Sequence, residues 1–171
     1  MPNTEIPPLA IATGEFAAHP VSGALASYFS AIWVHRVANV STSPVVIVPD
    51  ATVDLQWIGG RLRLAGPDRN PTTEILAPDT TVIGFRFRPG MAAEWLGVSL
   101  DEVVDQRVTL DDLWGGRSRL LEHPVQDEPN IAAAIATIQR VVANVDPVPS
   151  LRAGRMSSAF DLVAAGVASW E

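Results

Sequence analysis

Asp50 and Asp54 flank the start of an apolar run, and two acids beside one apolar surface can split their pKa values and divide acid and base roles. Both also have structural roles open to them. Asp50 follows Pro49 and suits a turn, while Asp54 shares a strand face with Gln56 and lies within diagonal reach of Arg63. The structural roles are preferred, because aspartate so often serves turns. Arg86 and Arg88 alternate along a second strand-like run. With Trp33 and Trp57 nearby they could clamp an anion or a planar ligand by bidentate bonds and stacking. The competing use is ion pairing with acids such as Glu94 and Asp68, and an acidic chain favours it. The histidines are His19, His35 and His123, and no two have the spacing of a local chelate. His35 could join Asp50 or Asp54 in a site built from distant residues, but a hydrogen-bonded histidine is the preferred reading. The candidate ligand-binding residues are therefore Trp33, His35, Trp57, Arg86 and Arg88, with no catalytic residue, metal site or cofactor expected.

Several chemistries are excluded by residue type. The 171 residues contain no cysteine, which removes disulfides, thiolate nucleophiles and sulfur-ligated metals. All 12 basic residues are arginine, so Schiff-base lysines and the phosphate-binding lysine of a P-loop are absent too. No G-x-S-x-G elbow exists, since Gly115-Gly116-Arg117-Ser118-Arg119 lacks the closing glycine. No G-x-G-x-x-G follows a strand-like run. A formal charge of −7 repels phosphate backbones, so nucleic acid is not expected as a direct partner. The first residues lack a basic, then apolar, leader, and no run reaches the roughly 18 apolar residues of a membrane span. A cytoplasmic location without a membrane partner is the expectation.

The elements that must position these residues divide into strands over about residues 1–90 and helices over about 91–171, an α+β plan. Residues 27–40 are rich in aromatic and branched side chains, and Val45-Val46-Ile47-Val48 is a short apolar strand between prolines. Gly59-Gly60 between two alternating runs predicts a tight hairpin in which Trp57 faces Leu62, Leu55 faces Leu64 and Gln56 faces Arg63. Residues 72–76 form a further edge segment. In residues 81–88, Phe85 and Phe87 take one face, and Gly84, Arg86 and Arg88 the other, which gives the sheet a wet side or polar pocket. A short helix over Met91–Leu96 stops at Gly97. Capping-box spacings at Ser99-Leu100-Asp101-Glu102 and Thr109-Leu110-Asp111-Asp112 start two more helices. Pro129 opens a helix to about Ala143 with a stripe of Ile131, Ile135, Ile138 and Val142. Ser157 or Ser158 caps a last one bearing Phe160, Val163, Val167 and Trp170. These two stripes are the candidate dimer interface.

A set of segments in fixed order carries a resemblance: Val48-Pro49-Asp50-Ala51-Thr52-Val53-Asp54-Leu55-Gln56-Trp57, Ala65-Gly66-Pro67-Asp68, Gly84-Phe85-Arg86-Phe87-Arg88-Pro89-Gly90, Leu96-Gly97-Val98 and Leu110-Asp111-Asp112-Leu113-Trp114-Gly115. Together they are similar to the N-terminal domain of a subgroup of AraC-type bacterial transcriptional regulators, over about residues 28–115. That subgroup usually has glycine where Ala51 stands. The resemblance implies a cupin-like sensor domain with trailing short helices over 1–128. Dimerisation or linker helices over 129–171 would lead to a helix-turn-helix domain absent from this chain, the only route to DNA. It implies a homodimer, an unidentified small-molecule effector and no enzyme activity. The alternatives are a cupin-like metal-dependent enzyme and a ligand-free interaction module. The sensor expects a cavity of roughly 300 Å³ or more, and the interaction module expects none.

Overall fold

The computed structural model describes residue 9 and residues 12–39, 44–122, 124, 128 and 130–145. Its frame is a six-stranded antiparallel sheet of β1 (Gly14–His19), β2 (Phe29–Val37), β4 (Asp54–Ile58), β5 (Arg61–Ala65), β7 (Thr81–Phe87) and β8 (Arg107–Thr109), together with a separate two-stranded ribbon of β3 (Val45–Ile47) and β6 (Thr72–Glu74). The spatial order is β1-β2-β7-β4-β5-β8, so β7 is inserted between β2 and β4. Helices α1 (Met91–Leu96), α2 (Leu110–Trp114), α3 (Arg119–Glu122) and α4 (Ile131–Ala143) complete an α+β fold.

The β4–β5 hairpin forms with the anticipated register: Trp57 opposite Leu62, Leu55 opposite Leu64 and Gln56 opposite Arg63. Gly59 and Gly60 both have positive φ, the requirement of a two-residue turn that matches strand twist. Alternation then sorts the whole sheet into two faces. Ile32, Val34, Leu55, Leu62, Leu64, Ile83, Phe85 and Phe87 project to one side and join Trp95, Leu96, Leu110, Leu121, Ala134, Ile138 and Val142 in a single core beneath the helices. Trp33, His35, Asp54, Gln56, Arg63, Gly84 and Arg86 occupy the alternate positions and turn to the other side.

Three elements depart from expectation. β1 was not anticipated: every residue of Gly14–His19 is exposed, so this edge strand has no buried face to write a pattern into the sequence. The section expected as purely helical contains β8, three residues that add to the free edge of β5 through Arg63↔Thr109, Leu64↔Val108 and Ala65↔Arg107. Ser99 precedes only a 3₁₀ turn and its side chain makes no capping bond, whereas Thr109 caps α2 by accepting from the Asp112 N–H at 3.1 Å. At α4 the cap is Asn130, whose side chain accepts from the Ala133 N–H. The α4 stripe is spent on the chain's own core. Ile138 and Val142 are fully buried, and Ile131 and Ile135 pack against the same cluster, so Ile138 and Val142 have no free surface for a second copy. Phe160, Val163, Val167, Trp170 and His123 lie outside the described residues.

Candidate functional site

The polar face of the large sheet is built by cross-strand pairing. Trp33, Gly84, Gln56 and Arg63 sit opposite one another in a row across β2, β7, β4 and β5. The Trp33 indole lies against Gly84: a Cβ at that position would stand 2.0 Å from Trp33 Cε2 and 2.4 Å from Nε1. A glycine inside a strand marks such a close approach. Phe16 of β1 stacks on the same indole, with centroids 5.9 Å apart and 24° between planes. Trp33 Nε1 is buried and has no hydrogen-bond partner among the described residues.

Beside this row the charges are matched by register. Asp54 and Arg86 are direct cross-strand partners, and Arg86 donates from Nε and Nη2 to the two Asp54 oxygens, at 3.1 Å each. Asp50 adds a second carboxylate at 3.3 Å from Arg86, and its other oxygen accepts from the Thr52 N–H and hydroxyl. The Asp54 hydrogen bonds hold the Arg86 guanidinium above its ordinary pKa, against the opposing effect of burial. Arg63 donates to Gln56 at 2.8 Å and to Glu74 of β6 at 2.7 Å. The second Glu74 oxygen takes Arg107 of β8, which also grips Asp68. Bonds to Asp68 first, then to Glu74, raise the Arg107 pKa although burial opposes them. His35 is buried with Nε2 3.5 Å from Thr13 Oγ1, and desolvation pushes its pKa below 6.5, toward the neutral imidazole.

Between this face and the β3–β6 ribbon lies a cavity of about 350 Å³. Trp33, His35, Asp54, Gln56, Arg63 and Arg86 contribute from the sheet, and Val46, Ile47 and Glu74 from the ribbon, with Leu9, Phe16, Val48, Leu76 and Val82 as apolar wall. A wider depression of about 810 Å³ opens on the far side, near Gly59-Gly60 and the start of α4. Its carboxylates already serve the fold: Glu122 accepts from the Leu62 N–H, Asp111 from the Ser118 hydroxyl and Glu128 from the Thr137 hydroxyl. The smaller cavity, with its aromatic platform and clustered ionic groups, is the candidate site.

Of the sequence candidates, Trp33, His35 and Arg86 meet in this cavity. Trp57 faces the opposite side, where it packs in the helix-covered core and lines the wider depression. Arg88 lies beyond the end of β7, exposed, and donates to the Ala26 carbonyl at 2.6 Å. Asp54 pairs with Arg86 and not with Arg63, and the partners of Arg86 are Asp54 and Asp50 in place of Glu94 or Asp68. Phe16, Gln56, Arg63 and Glu74 were missed as lining residues. Among the described residues no group of three or more histidine, aspartate or glutamate side chains is placed to hold a metal ion, and no helix is long and apolar enough to cross a membrane.

A family model for a domain of unknown function, DUF6597, matches residues 18–109, more than half of the chain. The chain belongs to the DUF6597 family. No curated protein and no solved structure matches it. The DUF6597 segment spans β2 to β8, so every lining residue of the cavity except Leu9 and Phe16 belongs to it.

Proposed function

We propose that this DUF6597 chain is a cupin-like, ligand-sensing and dimerising domain of an AraC-type transcriptional regulator, acting in the cytoplasm, with the cavity between the sheet and the ribbon as its effector site. The observation that carries the reading is that cavity: about 350 Å³, inside the range of small-molecule sites, with an aromatic floor and convergent polar groups. The resemblance of residues 28–115 to the sensor domains of such regulators supplies the biological context. An effector that binds one arrangement of the trailing helices better than another shifts their population by its differential affinity. In a full regulator those helices set the spacing of two DNA readers on their half-sites. Because Ile138 and Val142 are spent on the core, the dimer part of the proposal rests on the sequence stripe Phe160, Val163, Val167 and Trp170.

The test is a thermal-shift screen of small molecules against the wild-type chain and a Val46→Trp variant that fills the cavity, followed by sedimentation of the stabilised complex. Compounds that raise the melting temperature of the wild type alone, and a dimer whose population responds to them, are the expected result. Equal response of both proteins would remove the effector site, and a strict monomer at high concentration would remove the dimer.

A further inference from the structure

Polar capacity in the cavity is unevenly spent. Every carboxylate oxygen of Asp50, Asp54 and Glu74 already meets a guanidinium or the Thr52 donors. The arginines are not used up in the same way. Arg86 spends Nε and Nη2 on Asp54, with Asp50 also near Nη2, and Arg63 spends Nε on Gln56 and Nη2 on Glu74. Nη1 of each is left without a bond to a described residue. β5 and β7 bring these two arginines to β4 from opposite sides, Arg63 opposite Gln56 and Arg86 opposite Asp54, positions two residues and so about 7 Å apart.

Gln56 adds the donor that decides. Its residue is only 8% exposed, and Arg63 Nε, which can donate but not accept, fixes the amide oxygen on the arginine side at 2.8 Å. Turning the amide over would set two donors against each other, so its NH₂ group is held where it is. That NH₂ has no partner among the described residues, and unlike Trp33 Nε1 it is not sealed off, so the space it meets is the cavity that Gln56 lines. A donor so nearly buried and left unmade is costly, and an acceptor oxygen would relieve it.

We propose, building on the reading of this cavity as an effector site, that its ligand carries an sp² oxygen, that of a carbonyl or a carboxylate, which accepts from the Gln56 amide N–H and from a guanidinium Nη1, with an apolar part against Phe16, Val46, Leu76 and Val82. Gln56 is then the residue that sets specificity. A carboxylate gains charge-assisted bonds. A neutral carbonyl avoids repulsion from a lining with three carboxylates and two arginines.

The test titrates the full chain with four probes that share one apolar body: 4-ethylacetophenone, 4-ethylbenzoate, 4-ethylbenzylammonium and 1,4-diethylbenzene. The ketone or the carboxylate binds the wild type about tenfold more tightly than the ammonium probe, and the better of the two names the source of the oxygen. Gln56→Glu keeps the oxygen that Arg63 needs and exchanges the donor for an acceptor. In that variant the ketone, which carries no charge to be repelled, weakens about tenfold, the ammonium probe gains, and diethylbenzene changes by less than about twofold. An ammonium probe that matches or beats both oxygen probes, a ketone and a carboxylate that both fail to bind, or a ketone indifferent to Gln56→Glu would each overturn the assignment. If Gln56→Glu does not fold, the ranking on the wild type still decides. An ammonium probe that wins but is lost in Val46→Trp would refute the ligand class while leaving the effector site standing. Binding of every probe unaffected by Val46→Trp would refute both.

Discussion

Replacing Gly84 by alanine inserts one methyl group under an indole ring. The new Cβ would lie 2.0 Å from Trp33 Cε2 and 2.2 Å from Cζ2, where carbon pairs rest at about 3.5–4.0 Å. The ring must therefore retreat by roughly 1.5 Å, because the strand backbone below is fixed by pairing to both β2 and β4. Tilting the indole off its rotamer costs about 0.5–1.5 kcal/mol, and the loosened Phe16 stack costs about as much again. The gain from alanine over glycine in a strand, about 0.5–1 kcal/mol, offsets part of this. The expected net destabilisation is about 1–2 kcal/mol, or a fall in melting temperature of roughly 2–8 °C for a chain of this size. Urea denaturation of the wild type, Gly84→Ala, Trp33→Ala and the double variant isolates the cause. Once Trp33 is removed, Gly84→Ala should become neutral or mildly stabilising. An equal cost in both backgrounds would refute the claim that the indole is what requires glycine.

Asp54→Asn should destabilise by about 1–2 kcal/mol in urea melts, because Asp54 is only 9% exposed while Arg86, at 36%, can recover some hydration; adding Arg86→Met should restore part of the loss. Ala51→Gly should stabilise by about 0.5–1 kcal/mol, since Ala51 holds φ 58°, a left-handed conformation costly for a side chain, and glycine gives back some of that gain through unfolded-state entropy. Burial lowers the His35 pKa below 6.5, so above that pH both states hold neutral imidazole; as pH falls through 6.5 toward the folded value, the unfolded chain binds the proton first and stability is lost. Urea midpoints followed down from about pH 7.5 should fall more steeply for the wild type than for His35→Gln, and identical slopes would rule this out. Glu74→Gln should cost about 1–3 kcal/mol by denaturation, since one carboxylate serves both Arg63 and Arg107.

Local signals specified local structure well. The Gly59-Gly60 turn and the alternating runs around it determine one register, Gly97 ends α1 in the left-handed conformation, and Thr109 caps α2. Ala51 holds a positive φ, the conformation that glycine adopts without strain. What failed was whatever depends on neighbours distant in sequence. Nothing near Arg86 reveals that β7 enters between β2 and β4, and that placement alone sets Asp54 opposite Arg86 and Gly84 opposite Trp33. Gly84 did signal the site in part, as a glycine among branched and aromatic residues on the face expected to be polar. The Ile131, Ile135, Ile138 and Val142 stripe was legible as an apolar face, but periodicity does not say whether a face meets the chain's own core or a second chain.

The ionic groups of the cavity also fix where an effector would act on the helices. Glu74 belongs to the ribbon, yet its two oxygens are bound by Arg63 of β5 and Arg107 of β8. Two residues beyond Arg107, Thr109 caps α2, and at the end of α2 the Trp114 indole donates to the Leu96 carbonyl of α1 and packs against Trp95 at 4.9 Å. On the proposed reading, a ligand that seats the ribbon more closely draws on the bond joining it to β8, the strand that runs directly into α2. A ligand confined to Trp33 and β1 would stabilise the chain without reaching those helices. Moving a two-state helix arrangement from 1:99 to 99:1 takes about 10⁴-fold preference for one state. That preference must come from contacts that differ between the states, and Glu74 joins the cavity wall to the strand leading into α2. Binding that persists in Glu74→Gln while the helix response is lost would separate recognition from transmission.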